Sequence, residues 1–178
     1  MVCSYSTATI VLGLIVCFAC YTAAVDNGGA LGFVDLSQIS SSHVNTVPVN
    51  YYGHLHLTDG FKMGDFNVYD IYVSTNGYIS MEDTPRYDTL PDFPVADTDV
   101  IVAPFADHIN TARTGSVLYT DFLQSYNYYS QFNDIKNFIR SHTGDDYFYG
   151  DRMMVAEWKN VPLYGASDVS FSLAACVL

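Results

Sequence analysis

His54 and His56 are the first residues of this 178-residue chain whose types and spacing suggest chemistry. They lie in Asn50-Tyr-Tyr-Gly-His-Leu-His-Leu57, and a spacing of two places both on one face of a strand. A His-x-His pair supplies two imidazoles to zinc, but a site needs a third ligand and usually a fourth. Asp59 and Asp65 are near in sequence only. The simpler reading is a solvated strand face carrying two ordinary histidines. A second group, Asp107, His108 and Asn110, has acid–base and metal-binding side chains; its simpler reading is Asx chemistry that shapes a bend. A third, Glu82, Asp83, Asp88, Asp92, Asp97 and Asp99, sits in a stretch with three prolines. Those carboxylates suit Ca²⁺, yet their spacing lacks the EF-hand order of Asp, Gly and terminal Glu. No metal site is assigned, and His54, His56, Asp107 and His108 stand as the weak candidates. The chain has no Gly-rich phosphate loop, G-x-S-x-G elbow, H-E-x-x-H or C-x-x-C. No catalytic residue and no cofactor are therefore expected.

The element that organises the chain is Ile71-Tyr-Val-Ser-Thr-Asn-Gly-Tyr-Ile-Ser-Met81. Asn76-Gly77 between two β-favouring runs is a strong hairpin signal, because a type I′ turn needs φ > 0 at both central residues. A two-residue loop pairs Thr75 with Tyr78, Ser74 with Ile79, Val73 with Ser80 and Tyr72 with Met81. Ile71 and Val73 then share one face, and Tyr72, Ile79 and Met81 the other. This predicts a central hairpin covered on both sides. Val100 to Phe105 is a short apolar run, expected as a buried strand that Pro104 ends. Thr114-Gly115 turns the chain into the strand Ser116 to Thr120, and Arg152 to Lys159 alternates with Met154, Ala156 and Trp158 on one face. Tyr128, Phe132, Ile135, Phe138 and Ile139 recur at three and four, which predicts an amphipathic helix over Tyr126–Ser141. Lys136 and Arg140 suit its C-terminal end, and Gly144 stops it.

Several of these stretches resemble the nidogen-like (NIDO) domain of nidogen, α-tectorin and related extracellular matrix proteins. Phe66-x-Val-Tyr-x-Ile-Tyr-Val-Ser-Thr-Asn-Gly-Tyr-Ile-Ser80 resembles its opening. Pro91-x-Phe93-Pro94, Gly115-x-Val117-x-Tyr119 and Val155-x-x-Trp158-x-x-Val161 with Tyr164-Gly165 follow in the family's order. Ala103-Pro-Phe-Ala-Asp-His-Ile-Asn-Thr111 resembles the family's Ala-Pro-Phe-Trp-Ala-Asp-Ile-Asp-Thr, but no Trp follows Phe105, and His108 and Asn110 fall on the acidic positions in an ungapped match. That weakens any role resting on those two carboxylates. The resemblance implies a non-enzymatic secreted matrix or cell-surface module associated with cell–matrix adhesion, whose partners are extracellular proteins. It gives no catalytic residues to carry over. Asn76, Gly77, Pro104, Phe105, Trp158 and Gly165 are expected to be structural.

Composition sets the outer bounds. The formal net charge of −12 argues against nucleic acid and against an anionic membrane surface. Fifteen Tyr and eleven Phe, many in alternating runs, favour β structure. Ile10 to Ala19 is apolar, small residues follow at Thr22, Ala23 and Ala24, and Asp26-Asn27-Gly28-Gly29 is polar, which reads as a signal peptide spanning 1–24. The run falls short of the ~20 residues a membrane span needs, so no insertion is expected once it is cut. Cys3, Cys17 and Cys20 lie in that segment, leaving Cys176 alone in the mature chain as a candidate for an intermolecular disulfide.

The expected organisation is therefore a signal peptide at 1–24, a leader or linker at 25–49 with at most a short strand around Leu31–Leu36, and a nidogen-like domain at 50–178. Its fold class is mostly β, at the margin of α+β: two packed sheets with one helix. The apolar, uncharged end Phe171 to Leu178 suggests a domain cut short of its C-terminal strands. The competing function is a secreted hydrolase or a Ca²⁺- or zinc-dependent glycan binder. The best support for that alternative would be convergence of His54, His56, Asp107 and His108 in a pocket.

Overall fold

The computed structural model describes residues 17–19, 35–39, 44–49, 51–63, 66–81, 101–104, 107–123, 129–144, 146, 152–165 and 170–177. The alternating apolar runs form strands in two antiparallel sheets. One has four strands, β3 (Tyr52–Met63), β4 (Phe66–Ser74), β5 (Ile79–Ser80) and β6 (Ile101–Val102), in that order. The other has five: β1 (Cys17–Ala19), β9 (Ser170–Val177), β8 (Arg152–Pro162), β7 (Ser116–Leu123) and β2 (Asn45–Thr46). With a single α-helix among the described residues, α1 (Tyr129–Thr143), the fold is mostly β, as expected. The acidic stretch 82–100 and Phe105 lie outside the described residues.

The sheets face each other across one core. Leu57, Val68, Ile71, Val73, Ile79, Met81 and Val102 come from the first, and Val117, Tyr119, Met154, Ala156, Trp158 and Val161 from the second. Two side chains stitch the layers with hydrogen bonds. Trp158, fully buried, donates its indole N–H to the Ser74 carbonyl at 2.9 Å. Tyr119 donates its hydroxyl to the His54 carbonyl at 3.1 Å, and its ring lies so close to Gly53 that any Cβ there would overlap it. Buried Tyr and Trp need such partners for their polar tips.

The Asn76-Gly77 turn departs from the two-residue loop. Val73 pairs with Ile79 and Tyr72 with Ser80, and Ser74 N–H donates to the Tyr78 carbonyl at 2.9 Å, so the loop has three residues, Thr75, Asn76 and Gly77. Gly77 has φ +81°, whereas Asn76 stays out of the left-handed region. This is the three-residue hairpin with glycine in the αL position. The physical reason is burial. A slip of one residue exchanges the faces of a strand, and the longer loop puts Ile79 and Met81 on the same face as Ile71 and Val73. Each of those side chains gains about 2–3 kcal/mol on leaving water, which outweighs a local turn preference. The hairpin is central in its sheet, but only its inner face is core throughout; Asp70 and Tyr72 on the other face are half-buried.

The five-stranded sheet is covered on its outer side. Phe132 and Ile135 of α1 pack with Leu118 and Phe122 of β7, Met153 and Val155 of β8, and Leu36. The helix runs two residues past Ser141. Gly144, at φ +72°, ends it by donating its N–H to the Arg140 carbonyl at 2.9 Å. Lys136, towards the C-terminal end of the helix, is buried, with Nζ 5.6 Å from the centre of the Phe132 ring.

The segment assigned to a linker takes part in this packing. Leu36 lies in a 3₁₀ turn, Leu36–Gln38, rather than a strand, because the Asp35 carboxylate caps the turn by accepting from Ser37 N–H at 3.0 Å. Leu36 N–H donates to Oε2 of the buried Glu157 at 3.1 Å, and Lys159 Nζ donates to Asp35 Oδ1 at 2.8 Å. Strand β2 pairs with β7, and Val47 enters the core. Packing thus begins well before Asn50.

Candidate functional site

The outer face of β3 and β4 carries the titratable cluster. In β3 the alternation Tyr52-Gly-His-Leu-His-Leu57 turns Leu55 and Leu57 to the core, so Tyr52, His54 and His56 face outward. In β4, Ile71 and Val73 face in, and Asp70 and Tyr72 face out. The register pairs His54 with Tyr72 and His56 with Asp70. Beyond His56 the register shifts, with Gly60 at φ +58° closing against the Tyr69 ring. Both imidazoles therefore reach one carboxylate oxygen. His54 Nε2 lies 2.7 Å and His56 Nδ1 2.9 Å from Asp70 Oδ1.

A carboxylate oxygen only accepts, so both of these ring nitrogens carry hydrogen. The hydrogen bonds from His56 and then His54 hold the Asp70 carboxyl below the usual carboxylate range, against a small opposing effect of burial. The cluster is open to solvent, with side-chain exposures of 45%, 64% and 38% for His54, His56 and Asp70. An aromatic row continues from it. His54 stacks on Tyr72 at 4.6 Å, Tyr72 meets Tyr52 edge-on at 5.6 Å, and Tyr52 stacks on the exposed Tyr51 at 4.4 Å. The hydrogen bond with Tyr51 is the main cause that raises the Tyr52 hydroxyl above its ordinary pKa.

The second candidate group stands elsewhere. Asp107 N–H donates to the Asn76 carbonyl at 3.2 Å, and Ile109 N–H donates to Asn76 Oδ1 at 3.2 Å. Asp107 Oδ1 accepts from His108 N–H at 2.7 Å. The His108 ring stacks on Tyr164 at 4.4 Å, and its carbonyl accepts from Tyr164 N–H at 2.7 Å. Asn110 N–H donates to the Pro162 carbonyl at 3.0 Å. These contacts fasten the turn after β4 and the chain after β8 to residues 107–110. They bring Asp107 and His108 to Asn76 and Tyr164, not to His54 and His56. Pro104 is half-buried just after β6, and Gly165 adopts φ +81° beside Tyr164.

Chemically, the first cluster is a hydrogen-bonding surface flanked by rings. Both histidines spend a nitrogen on the same acceptor. Among the described residues, no group of three or more His, Cys, Asp or Glu side chains is arranged to hold a metal ion. Asp70 was absent from the candidates read in the sequence. Its signal was the Asp70-x-Tyr72 alternation opposite His54-x-His56, visible only once β3 and β4 are paired.

The nidogen-like domain model matches residues 69–171, more than half of the chain. The chain belongs to the nidogen-like family. The match spans β4 to the start of β9, including Asp70, Tyr72, the Asn76-Gly77 turn, residues 107–110 and Trp158, whereas His54 and His56 lie just before it. Nidogen-like domains are non-catalytic, extracellular matrix-type modules. A search of the curated proteins and of the solved structures finds no match. No helix among the described residues is long and apolar enough to cross a membrane.

Proposed function

We propose that this chain is a secreted, non-enzymatic adhesion module that binds extracellular matrix or cell-surface proteins. The observation that carries the reading is the family match over residues 69–171. The apolar segment Ile10 to Ala19 followed by small residues supports delivery through the secretory pathway, with residues 1–24 removed. The outer face of β3 and β4 is the proposed binding surface. Tyr51, His54 and His56 are exposed there, Tyr52, Asp70 and Tyr72 are half-buried, and the pairing of β3 with β4 holds the cluster in a fixed array. The competing reading, a hydrolase or a metal-dependent glycan binder, had its best support in the convergence of four side chains. They stand instead in two groups with different partners.

The test is capture from a basement-membrane extract by the mature secreted chain immobilised through a terminal tag, with bound proteins identified by mass spectrometry. The reading expects discrete matrix proteins, retained equally in chelator. Loss of all capture in chelator favours the metal-dependent alternative.

A further inference from the structure

We infer that the outer face of β3 and β4 takes an arginine-bearing segment of an extracellular protein, which deepens the adhesion reading above and rests on it. Asp70 Oδ1 accepts from His54 Nε2 and from His56 Nδ1. A neutral imidazole carries one N–H, so the second nitrogen of each ring, His54 Nδ1 and His56 Nε2, holds a lone pair. Among the described residues, none donates to Asp70 Oδ2. What the cluster still offers a partner is therefore two ring nitrogens and one carboxylate oxygen, all of them acceptors. Rings lie beside them. Tyr72 stacks on His54, and Tyr51 stacks on Tyr52 while remaining exposed.

The charge has the same sense. Hydrogen bonds from both histidines favour the ionised form of Asp70, and the whole chain carries a formal −12, which draws a cationic partner in. Cations of the chain itself are engaged or placed elsewhere. Arg152 and Lys159 of β8 pair with Asp121 and Asp35, and Lys62 stands opposite Asn67, beyond the register shift that follows His56. Arginine is the side chain that matches such a face. Its guanidinium has five N–H donors and no acceptor, keeps its charge, and lies flat on aromatic rings. Lysine brings charge and donors, but it has no plane to stack and holds its water more strongly. A sulfated glycan or an acidic peptide would meet lone pairs and a like charge. A neutral glycan supplies donors but gains nothing from the field of the chain.

The test is calorimetric titration of the secreted chain with the synthetic peptide Gly-Arg-Gly-Arg-Gly and its lysine and citrulline counterparts, at about 0.15 M ionic strength. Citrulline keeps the shape of arginine and loses its charge. The arginine peptide should bind at least tenfold more tightly than the citrulline peptide and at least threefold more tightly than the lysine one. Tyr51→Ala and Asp70→Asn should each weaken it at least fivefold with the thermal midpoint nearly unchanged. Asp146→Asn, the same change of charge at an exposed residue after α1, should alter it less than twofold. Absence of binding overturns the proposal, as does equal binding of the lysine peptide. Equal losses in Asp70→Asn and Asp146→Asn assign the binding to bulk charge and overturn it too. Competition separates this inference from the reading beneath it. A captured matrix protein that the arginine peptide fails to displace leaves the adhesion reading standing and overturns the arginine site. Capture lost once the extract is deglycosylated assigns the face to a glycan and likewise overturns it. Peptide binding with the expected variant pattern but no captured matrix protein supports the arginine site and overturns the adhesion reading instead.

Discussion

The two sheets share one core but treat their outer faces differently. The five-stranded sheet is covered: α1 and the 3₁₀ turn lie over β7 and β8, and Leu118, Phe122, Met153 and Val155 are buried beneath them. Its polar groups are enclosed as well. Glu157 is 1% exposed and holds Leu36 N–H, and Lys159 reaches Asp35. The four-stranded sheet leaves β3 and β4 open, and there the polar groups face solvent in a row, from Tyr51 through Tyr72 to His56. The difference separates roles. Side chains enclosed on the first sheet fix the fold, whereas those on the second are held in place yet remain available to a partner.

Substitutions test that division, beginning with the core both sheets share. Trp158→Ala removes a fully buried ring and the hydrogen bond to Ser74, and should cost about 3–5 kcal/mol. A denaturant midpoint close to that of the wild type would contradict it. On the covered face, Phe132→Ala should cost a similar ~3–4 kcal/mol, read by the same unfolding curve. A much smaller loss would mean that α1 is not needed to close that face. Gly77→Val forces a β-branched residue to φ +81° and should destabilise by about 1–2 kcal/mol.

Acid separates the sheets more finely. Asp70 has a lowered pKa in the folded chain, so its contribution to stability is present above the ordinary value of 3.8 and is lost as pH falls through the lowered one. Asp35 behaves alike: burial works against its ionisation, but hydrogen bonds from Lys159 and Ser37 outweigh that, and its pKa is also lowered. Because Asp70 is solvated and Asp35 is more enclosed, Asp35→Asn should flatten the acid limb of the stability curve more than Asp70→Asn. Urea midpoints between pH 2 and 6 check the order.

The smallest expected effect on stability is at the open face. Replacing His56 by Ala should shift unfolding by under about 0.5 kcal/mol, the usual range for an exposed site. A loss as large as that of Phe132→Ala would make the cluster structural.

Much of this division was legible in the sequence. The alternation of β3, β4, β7 and β8 and the stripe of α1 are local patterns, and both sheets and the helix follow from them. The hairpin register was not, because Asn76-Gly77 favours a two-residue loop locally. The outcome depends on burying Ile79 and Met81 and on contacts from residues 107–109. Asp70 escaped notice because its partners lie 14 and 16 residues away, across a register shift at Gly60. Glu157 and Lys136 are buried charges that no local pattern in the sequence marks.

The central claim is that the open face of β3 and β4 binds the partner. Its most direct test is a titration of the captured matrix protein against the wild-type chain and a His54→Ala, His56→Ala, Asp70→Ala variant by surface plasmon resonance. The account predicts at least a tenfold loss of affinity with a thermal midpoint near that of the wild type. Equal affinity in the folded variant would contradict it.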